Sequence, residues 1–467
     1  MSGKQNLELK KTLTPFNLWV IGVGIVISGN YFGWNFGLST SGYVGMLIAV
    51  GVMAVMYTFM AFGISELSTA LPFAGGPYSF ARRAMGPFVG FITGVGVVLQ
   101  YVIAAPVVAI GIGAYINFLF PTVNPIVSAA VMYVFFMVIH IIGVKEYARL
   151  EAILVFIALA LLVLMYFVGL PQIRVENLFG GEGEAMIPGG IKGIWAALPF
   201  AMWLFLAIEM LPMLSEETRD AKKDMPKGIL SGMFTLVILS VLTTTVAIGL
   251  SGFNQLSTAE DPLPAAIAAA YGNTYWLAQL LASIGLVGLI ASFSGVILAY
   301  SRQVFSLSRA GYLPAVFSKL HPTRRTPYMA IIIPGFIGLI LVATFNPDDL
   351  ILIATFGALI SYISMNLSLI ILRKKEPNLA RPYRAPLFPF MPIVSMVLAC
   401  IALFASFFAN LPFFFISITV FAVAIIYYFV WARHNINTDA PEEQFSNVGD
   451  LEIPVVTGPE LEEEIVR

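Results

Sequence analysis

Ile27-Ser28-Gly29-Asn30-Tyr31-Phe32-Gly33-Trp34-Asn35 lies near the middle of the first membrane-length apolar run, and Trp203-Leu204-Phe205-Leu206-Ala207-Ile208-Glu209 lies in the sixth. A helix crossing lipid satisfies its backbone groups internally. A Gly/Ser/Asn interruption at membrane depth is tolerated only where it faces protein or a wet cavity. Interruptions at corresponding places in two halves of a chain are a sequence pointer to the binding site of a secondary transporter.

Composition agrees. The chain has 467 residues, 59% of them hydrophobic and 11% charged. A soluble domain of this size cannot hide so much apolar surface behind so few charges, so charge-free runs of about 20 residues read as membrane spans. Such runs fall near 16–38, 45–69, 88–118, 124–143, 150–170, 191–214, 229–252, 274–301, 328–345, 350–372, 391–409 and 411–432. Turn signals such as Pro121 to Pro125, Pro262 to Pro264 and Asn346-Pro347 separate them. A net charge of −1 and the lack of a large basic patch speak against nucleic acid and leave the lipid bilayer as the expected surroundings. The single cysteine, Cys400, excludes an intrachain disulfide and argues against a thiolate metal site. The first fifteen residues are polar and basic, and no small-residue cleavage site follows, so the first run is expected to stay as a helix.

Basic residues set the orientation. Loops on one side carry Arg82, Arg83, Lys145, Arg149, Arg219, Lys222, Lys223, Arg302, Arg309, Arg373, Lys374, Lys375, Arg381 and Arg384, and both termini fall there too. Opposite loops hold only Arg174 and Lys192. The positive-inside rule puts both termini in the cytoplasm and the chain in the cell membrane. After the last run the composition turns acidic (Asp439, Glu442, Glu443, Asp450, Glu452, Glu460, Glu462 to Glu464), which reads as a solvated, disordered cytoplasmic tail over 434–467.

Three stretches resemble the amino acid–polyamine–organocation transporters. Glu66-Leu67-Ser68-Thr69-Ala70-Leu71-Pro72-Phe73-Ala74-Gly75-Gly76-Pro77-Tyr78 resembles that family's signature after the second helix. Ser308-Arg309-Ala310-Gly311-Tyr312-Leu313-Pro314 resembles the loop after the eighth. Leu372 to Pro377 with Arg381-Pro382-Tyr383-Arg384-Ala385-Pro386 resembles the loop after the tenth. Ile27 to Asn35, with Glu209 and Glu216-Glu217-Thr218, is most similar to the ethanolamine permease branch. The resemblance implies an all-α integral membrane protein of twelve helices with the LeuT-type 5+5 inverted repeat, helices 1 and 6 being broken. It divides the chain into a cytoplasmic segment 1–15, repeats 16–170 and 171–372, two added helices in 373–433 and the tail 434–467. It implies a permease moving a small amine or amino acid such as ethanolamine by alternating access, or a neutral amino acid transporter or exchanger.

Ile27, Ser28, Gly29 and Asn30 are the expected substrate-binding positions of the first break, with Trp203, Phe205 and Ala207 in the second. A half-helix starting at the first break exposes N–H groups that attract a carboxylate or hydroxyl. Gly29 lets the backbone approach a ligand closely, so a branched side chain there is expected to fill ligand space. The bland reading of Gly and Ser is close helix packing; Asn30 does not serve that. Asn30 also departs from the family, which has Gly there, and from the ethanolamine branch, which has an acid. A neutral amide keeps neutral amino acids open as substrates. Aromatics at 203 and 205 can wall a cation or close over a ligand.

Glu209 is the one acidic residue well inside an expected span, where a carboxylate usually marks a pathway. Desolvation disfavours its charged form, which suits coupling to a proton. The alternative is a fixed hydrogen-bond network. Glu66, near the headgroups, reads as structural. Some proton-coupled relatives carry a Lys in helix 5; the match places Ala158 there, so that device is missing. Ser292 and Ser294 offer hydroxyls to sodium, though Ser in membrane helices is more often packing glue. Exchange, uniport and proton or sodium symport all stay open. Gln100 and Tyr101 are candidates for facing the site.

An enzyme would need a constellation. His140, His321 and His434 are far apart, and there is neither a His-Glu-x-x-His motif nor a Cys ligand set, so no catalytic residue, metal or cofactor is expected. A channel would want a pore ring, whereas paired breaks favour alternating access. A sensor built on the fold is separated from a carrier by ligand uptake into liposomes.

Overall fold

The computed structural model describes residues 11–72, 75–143, 147–179, 185–272, 276–441 and 443, the side chains of 147–151 excepted. Phe73, Ala74, Lys145, Glu442 and 444–467, which entered the readings above, lie outside the described residues. Among the described residues the protein is helical, with no strand. In chain order the α-helices are α1 (Pro15–Val26), α2 (Ser28–Tyr31), α3 (Leu38–Ala70), α4 (Gly76–Met85), α5 (Pro87–Leu119), α6 (Pro125–Ile142), α7 (Tyr147–Gly169), α8 (Val175–Phe179) and α9 (Gly190–Trp203). There follow α10 (Ala221–Ser251), α11 (Phe253–Leu256), α12 (Pro262–Tyr271), α13 (Trp276–Arg309), α14 (Tyr328–Thr344), α15 (Pro347–Lys375), α16 (Phe390–Ala409) and α17 (Leu411–Val430).

Ten helical stretches among the described residues are long and apolar enough to cross a membrane. Two expected spans are not among them, for separate reasons. The first is divided between α1 and α2, and the ninth is α14, of 17 residues. Burial sorts the helices into a centre and a belt. The most apolar stretches of Pro87–Leu119, Gly190–Glu217 and Pro347–Lys375 are 78%, 83% and 78% buried, whereas those of Pro125–Ile142 and Leu411–His434 are 28% and 22% buried. The belt exposes Phe135, Phe336, Phe415, Ile426 and Val430. Water would penalise such a surface; hydrocarbon does not, so these side chains specify a lipid-facing perimeter.

Three sequence-distant motifs meet at one end of the bundle. Buried Glu66, at the end of α3, accepts from Arg373 Nε (2.8 Å) and Nη2 (2.5 Å) and from the Ala385 amide (2.7 Å). Arg381 Nε lies 3.3 Å from the same carboxylate. Arg83 of α4 pairs with Glu376 at 2.7 Å, and Tyr78 meets Tyr312 edge to face. The structural reading of Glu66 therefore has a physical cause: it joins the end of α3 to the end of α15. Removing one member of a buried ion pair strands its partners, at a typical cost of about 3–5 kcal/mol. Glu66→Ala is thus expected to lower the thermal unfolding midpoint in detergent clearly, and a midpoint equal to the parent's would refute the structural assignment.

Candidate functional site

The first break is built by α1, α2 and the turn after them. Thr14 caps α1 reciprocally with Asn17 (Asn17 N to Thr14 Oγ1 3.3 Å, Thr14 N to Asn17 Oδ1 3.1 Å), and Pro15 occupies the first turn. The expected interruption at Ser28-Gly29-Asn30 is displaced by one turn. Ile27 keeps helical angles and α2 continues to Tyr31; the chain leaves the helix at Phe32 (φ −158°, ψ 146°) and Gly33 (φ +98°). Gly33 takes a conformation that other residues reach only with strain. Asn35 fixes the turn. Its side chain accepts from Gly33 N at 3.2 Å and donates to the Leu256 and Ala259 carbonyls at 2.7 and 2.8 Å.

The second break falls where the sequence places it. α9 ends at Trp203, residues 204–207 turn, and a 3-10 helix runs over Ile208–Glu217. Ala207 sits at φ +88°, which costs a non-glycine residue of order 1–3 kcal/mol. The surrounding packing has to hold it there, since the local sequence does not.

The two breaks touch. A Cβ on Gly29 would stand 2.5 Å from the Trp203 carbonyl oxygen and 3.1 Å from Leu204 Cα. Trp203 Nε1 donates to the Phe32 carbonyl at 3.0 Å. The expectation that a side chain at 29 would fill ligand space is therefore corrected. What it would fill is the backbone of the opposite break, because α2 lies directly on the end of α9.

Between the breaks lies a small cavity of about 10 Å³, room for about one water. Ile25, Val26, Ser28, Tyr101, Ala104, Val108, Trp203, Leu206, Ala207 and Val296 line it. Of the expected binding residues, Ser28, Trp203 and Ala207 are in this wall. Ile27 and Gly29 are buried in the contacts behind it. Asn30 turns to α10, where its Oδ1 accepts from Thr243 at 3.1 Å. Phe205 lies against Tyr57, ring centroids 5.5 Å apart.

Glu209 is fully buried. Its Oε1 accepts from Gln100 Nε2 (2.5 Å) and Tyr101 OH (3.0 Å), both on α5. Tyr57 of α3 and Tyr362 of α15 share a bond of 3.0 Å and stack edge to face. Tyr101 is the hinge of this arrangement, since it lines the cavity and holds Glu209 at once. Glu209 Oε2 and Gln100 Oε1 have no hydrogen-bond partner among the described residues. Both are acceptors, and a proton on Glu209 Oε2 would turn that atom into a donor. Gln100 and Tyr101 thus join the site through Glu209. Tyr57, Tyr362, Val108 and Val296 had no sequence signal, because in helices apolar on all faces nothing marks the inward one.

The serines considered for sodium make hydrogen bonds within the protein. Ser292 Oγ reaches the Ile25 carbonyl (2.5 Å) and Ser28 Oγ (2.7 Å), and Ser294 Oγ reaches His140 Nε2 (3.1 Å). At Ala158, Tyr31 OH donates to the backbone carbonyl at 2.8 Å. A larger cavity of about 460 Å³ lies at the other end of the bundle, where Asn117, Glu260, Asp261 and Gln279 line it. Burial, with Glu260 adding, pushes the Asp261 carboxyl up to about 7. This is the roomier space, but Glu209 and the breaks do not line it.

The family model described as amino acid permease matches residues 13–431. An uncharacterised transporter of Rhizobium meliloti is 32% identical over 86% of this chain and 88% of its own length. The branched-chain amino acid permease BcaP of Bacillus subtilis is 27% identical over 85% of this chain and 88% of its own. The methylthioribose transporter of the same organism is 26% identical over 83% and 87%. These relatives are transporters, not enzymes, and the chain is a multi-pass membrane protein. The chain belongs to the amino acid permease family, within the amino acid–polyamine–organocation superfamily.

Proposed function

We propose that the protein carries a small neutral amino acid with an aliphatic side chain across the plasma membrane by alternating access, in symport with a proton. Both termini lie in the cytoplasm in this reading. The twelve spans form repeats 16–170 and 171–372 with two helices outside, and support comes from breaks at corresponding places, Phe32-Gly33 and Trp203–Ile208.

The observation that carries the substrate class is the wall. Ile25, Val26, Ala104, Val108, Leu206 and Val296 turn aliphatic side chains to the cavity between the breaks. The ends of the broken helices supply backbone groups for a zwitterion. A leucine side chain has about two more carbons to bury than ethanolamine. At about 0.8 kcal/mol each, that is roughly tenfold in affinity. A relative named for branched-chain amino acids fits the same wall. A second cationic head would be left unpaired in a space whose nearest carboxylate, Glu209, is already held by Gln100 and Tyr101.

Ethanolamine is the second reading. It rests on residues 27–35 with Glu209 and 216–218, and it is the weaker one because Glu209 stands behind the cavity wall. Uptake into liposomes separates the two. Labelled leucine should enter saturably, with valine and alanine competing and ethanolamine competing about tenfold less well. Saturable ethanolamine uptake untouched by leucine would reverse the order, and saturable arginine or putrescine uptake would end both readings.

A further inference from the structure

The acidic tail expected to be disordered from 434 onward begins with a docked segment. Asn437 N donates to the Ala310 carbonyl at 3.0 Å, and two further turns bring Ala440 and Glu443 under the bundle, both buried. Gly311 is at φ +88°, and a Cβ there would run into the Asn435 carbonyl, so the loop after α13 and the tail pass backbone against backbone. The Glu443 carboxylate sits in a complete set of donors. Tyr78 OH reaches Oε1 at 2.9 Å and Tyr312 OH at 3.0 Å; Arg82 Nε and Nη2 reach Oε2 at 2.8 and 2.5 Å. Tyr78 and Arg82 lie one turn apart on one face of α4, whereas Tyr312 comes from the loop after α13.

We propose that residues 435–441 with Glu443 are a latch that holds this face of the carrier shut, with Glu443 as its bolt. The proposal rests on the alternating-access reading. A carrier must part the elements on this face to release its cargo there. The elements that Glu443 joins are α4, which packs on Met213 beyond the second break, and the end of α13, which packs along α1 and α5. Withdrawing the carboxylate deprives the Arg82 charge and two hydroxyls of this acceptor, so a bond made in one conformation and broken in the other biases the equilibrium toward the first. The sequence signature around Tyr78 and the loop around Tyr312 thereby acquire a shared task. They form the socket for a segment more than a hundred residues downstream.

The test need not know the substrate. Ser79 of α4 is buried and its hydroxyl has no partner among the described residues, so Ser79→Cys in a Cys400→Ser background places a thiol beneath the latched face at little cost. A water-soluble maleimide should label it slowly in the full-length parent. Glu443→Gln, which keeps shape and loses charge, should speed labelling at least threefold. The charge-swapped pair Arg82→Glu with Glu443→Arg should return it toward the parent rate. Tyr312→Phe, which removes one donor and leaves the ion pair, should give a smaller increase. Labelling in Glu443→Gln at the parental rate overturns the latch, and so does an increase that the swapped pair does not reverse. Leucine uptake by the same proteins should show a higher maximal rate with unchanged KM. If leucine is not carried at all, the substrate reading fails while the labelling result still decides the latch.

Discussion

Glu209→Gln is expected to abolish the pH dependence of transport while leaving the protein folded. In the parent, uptake should be fastest when the outer solution is acidic and should fall as pH rises, because the carrier is proposed to need a proton on Glu209 to complete its cycle. The substitution keeps the bonds from Gln100 and Tyr101, since an amide oxygen accepts as a carboxylate does. It also supplies a permanent donor where Oε2 now has none. The variant should therefore resemble the protonated parent at every pH. Net uptake against a gradient should fall at least tenfold, while exchange of labelled for unlabelled substrate should persist, with a flat profile. Loss of the coupled step alone is what separates coupling from structure. If Glu209→Gln accumulates substrate with the parental pH profile, the carboxylate is a fixed network member and the coupling proton is carried elsewhere.

Gly29→Ala is expected to be costly for the addition of a single methyl group. Its Cβ would lie 2.5 Å from a backbone oxygen, and a backbone gives way less easily than the end of a side chain. Relief requires α2 and the end of α9 to separate, which disturbs the bond from Trp203 Nε1 to Phe32 O. Overpacking of this kind costs about 1–3 kcal/mol. Transport should fall at least tenfold because both breaks move together. The paired measurements are the unfolding midpoint and substrate affinity in detergent. A midpoint and an affinity both equal to the parent's would show that the two breaks do not bear on each other. Bulkier substitutions such as Leu are poor probes of ligand space here, since the protein itself occupies the region they would enter.

Much of this was legible in the chain. Charge-free runs of about 20 residues have only one inexpensive solution in lipid, a hydrogen-bonded helix, so the spans follow from composition and length. Trp203 to Ile208 is broken as read, and Glu209 is buried as a lone acid in an apolar run had to be. Other features depended on distant neighbours. The first break slid to Phe32-Gly33 because Asn35 finds carbonyls at 256 and 259, some 220 residues away. Asn30 faces Thr243 instead of the cavity, and Glu443 lies in a socket of Tyr78, Arg82 and Tyr312 where its sequence neighbourhood suggested solvent. Local sequence determines which segments must be helical, because each helix satisfies its own backbone. Which face turns inward, and which polar side chain finds which partner, is decided only by the packing of helices that are apolar all round, and that information is shared among residues far apart in the chain.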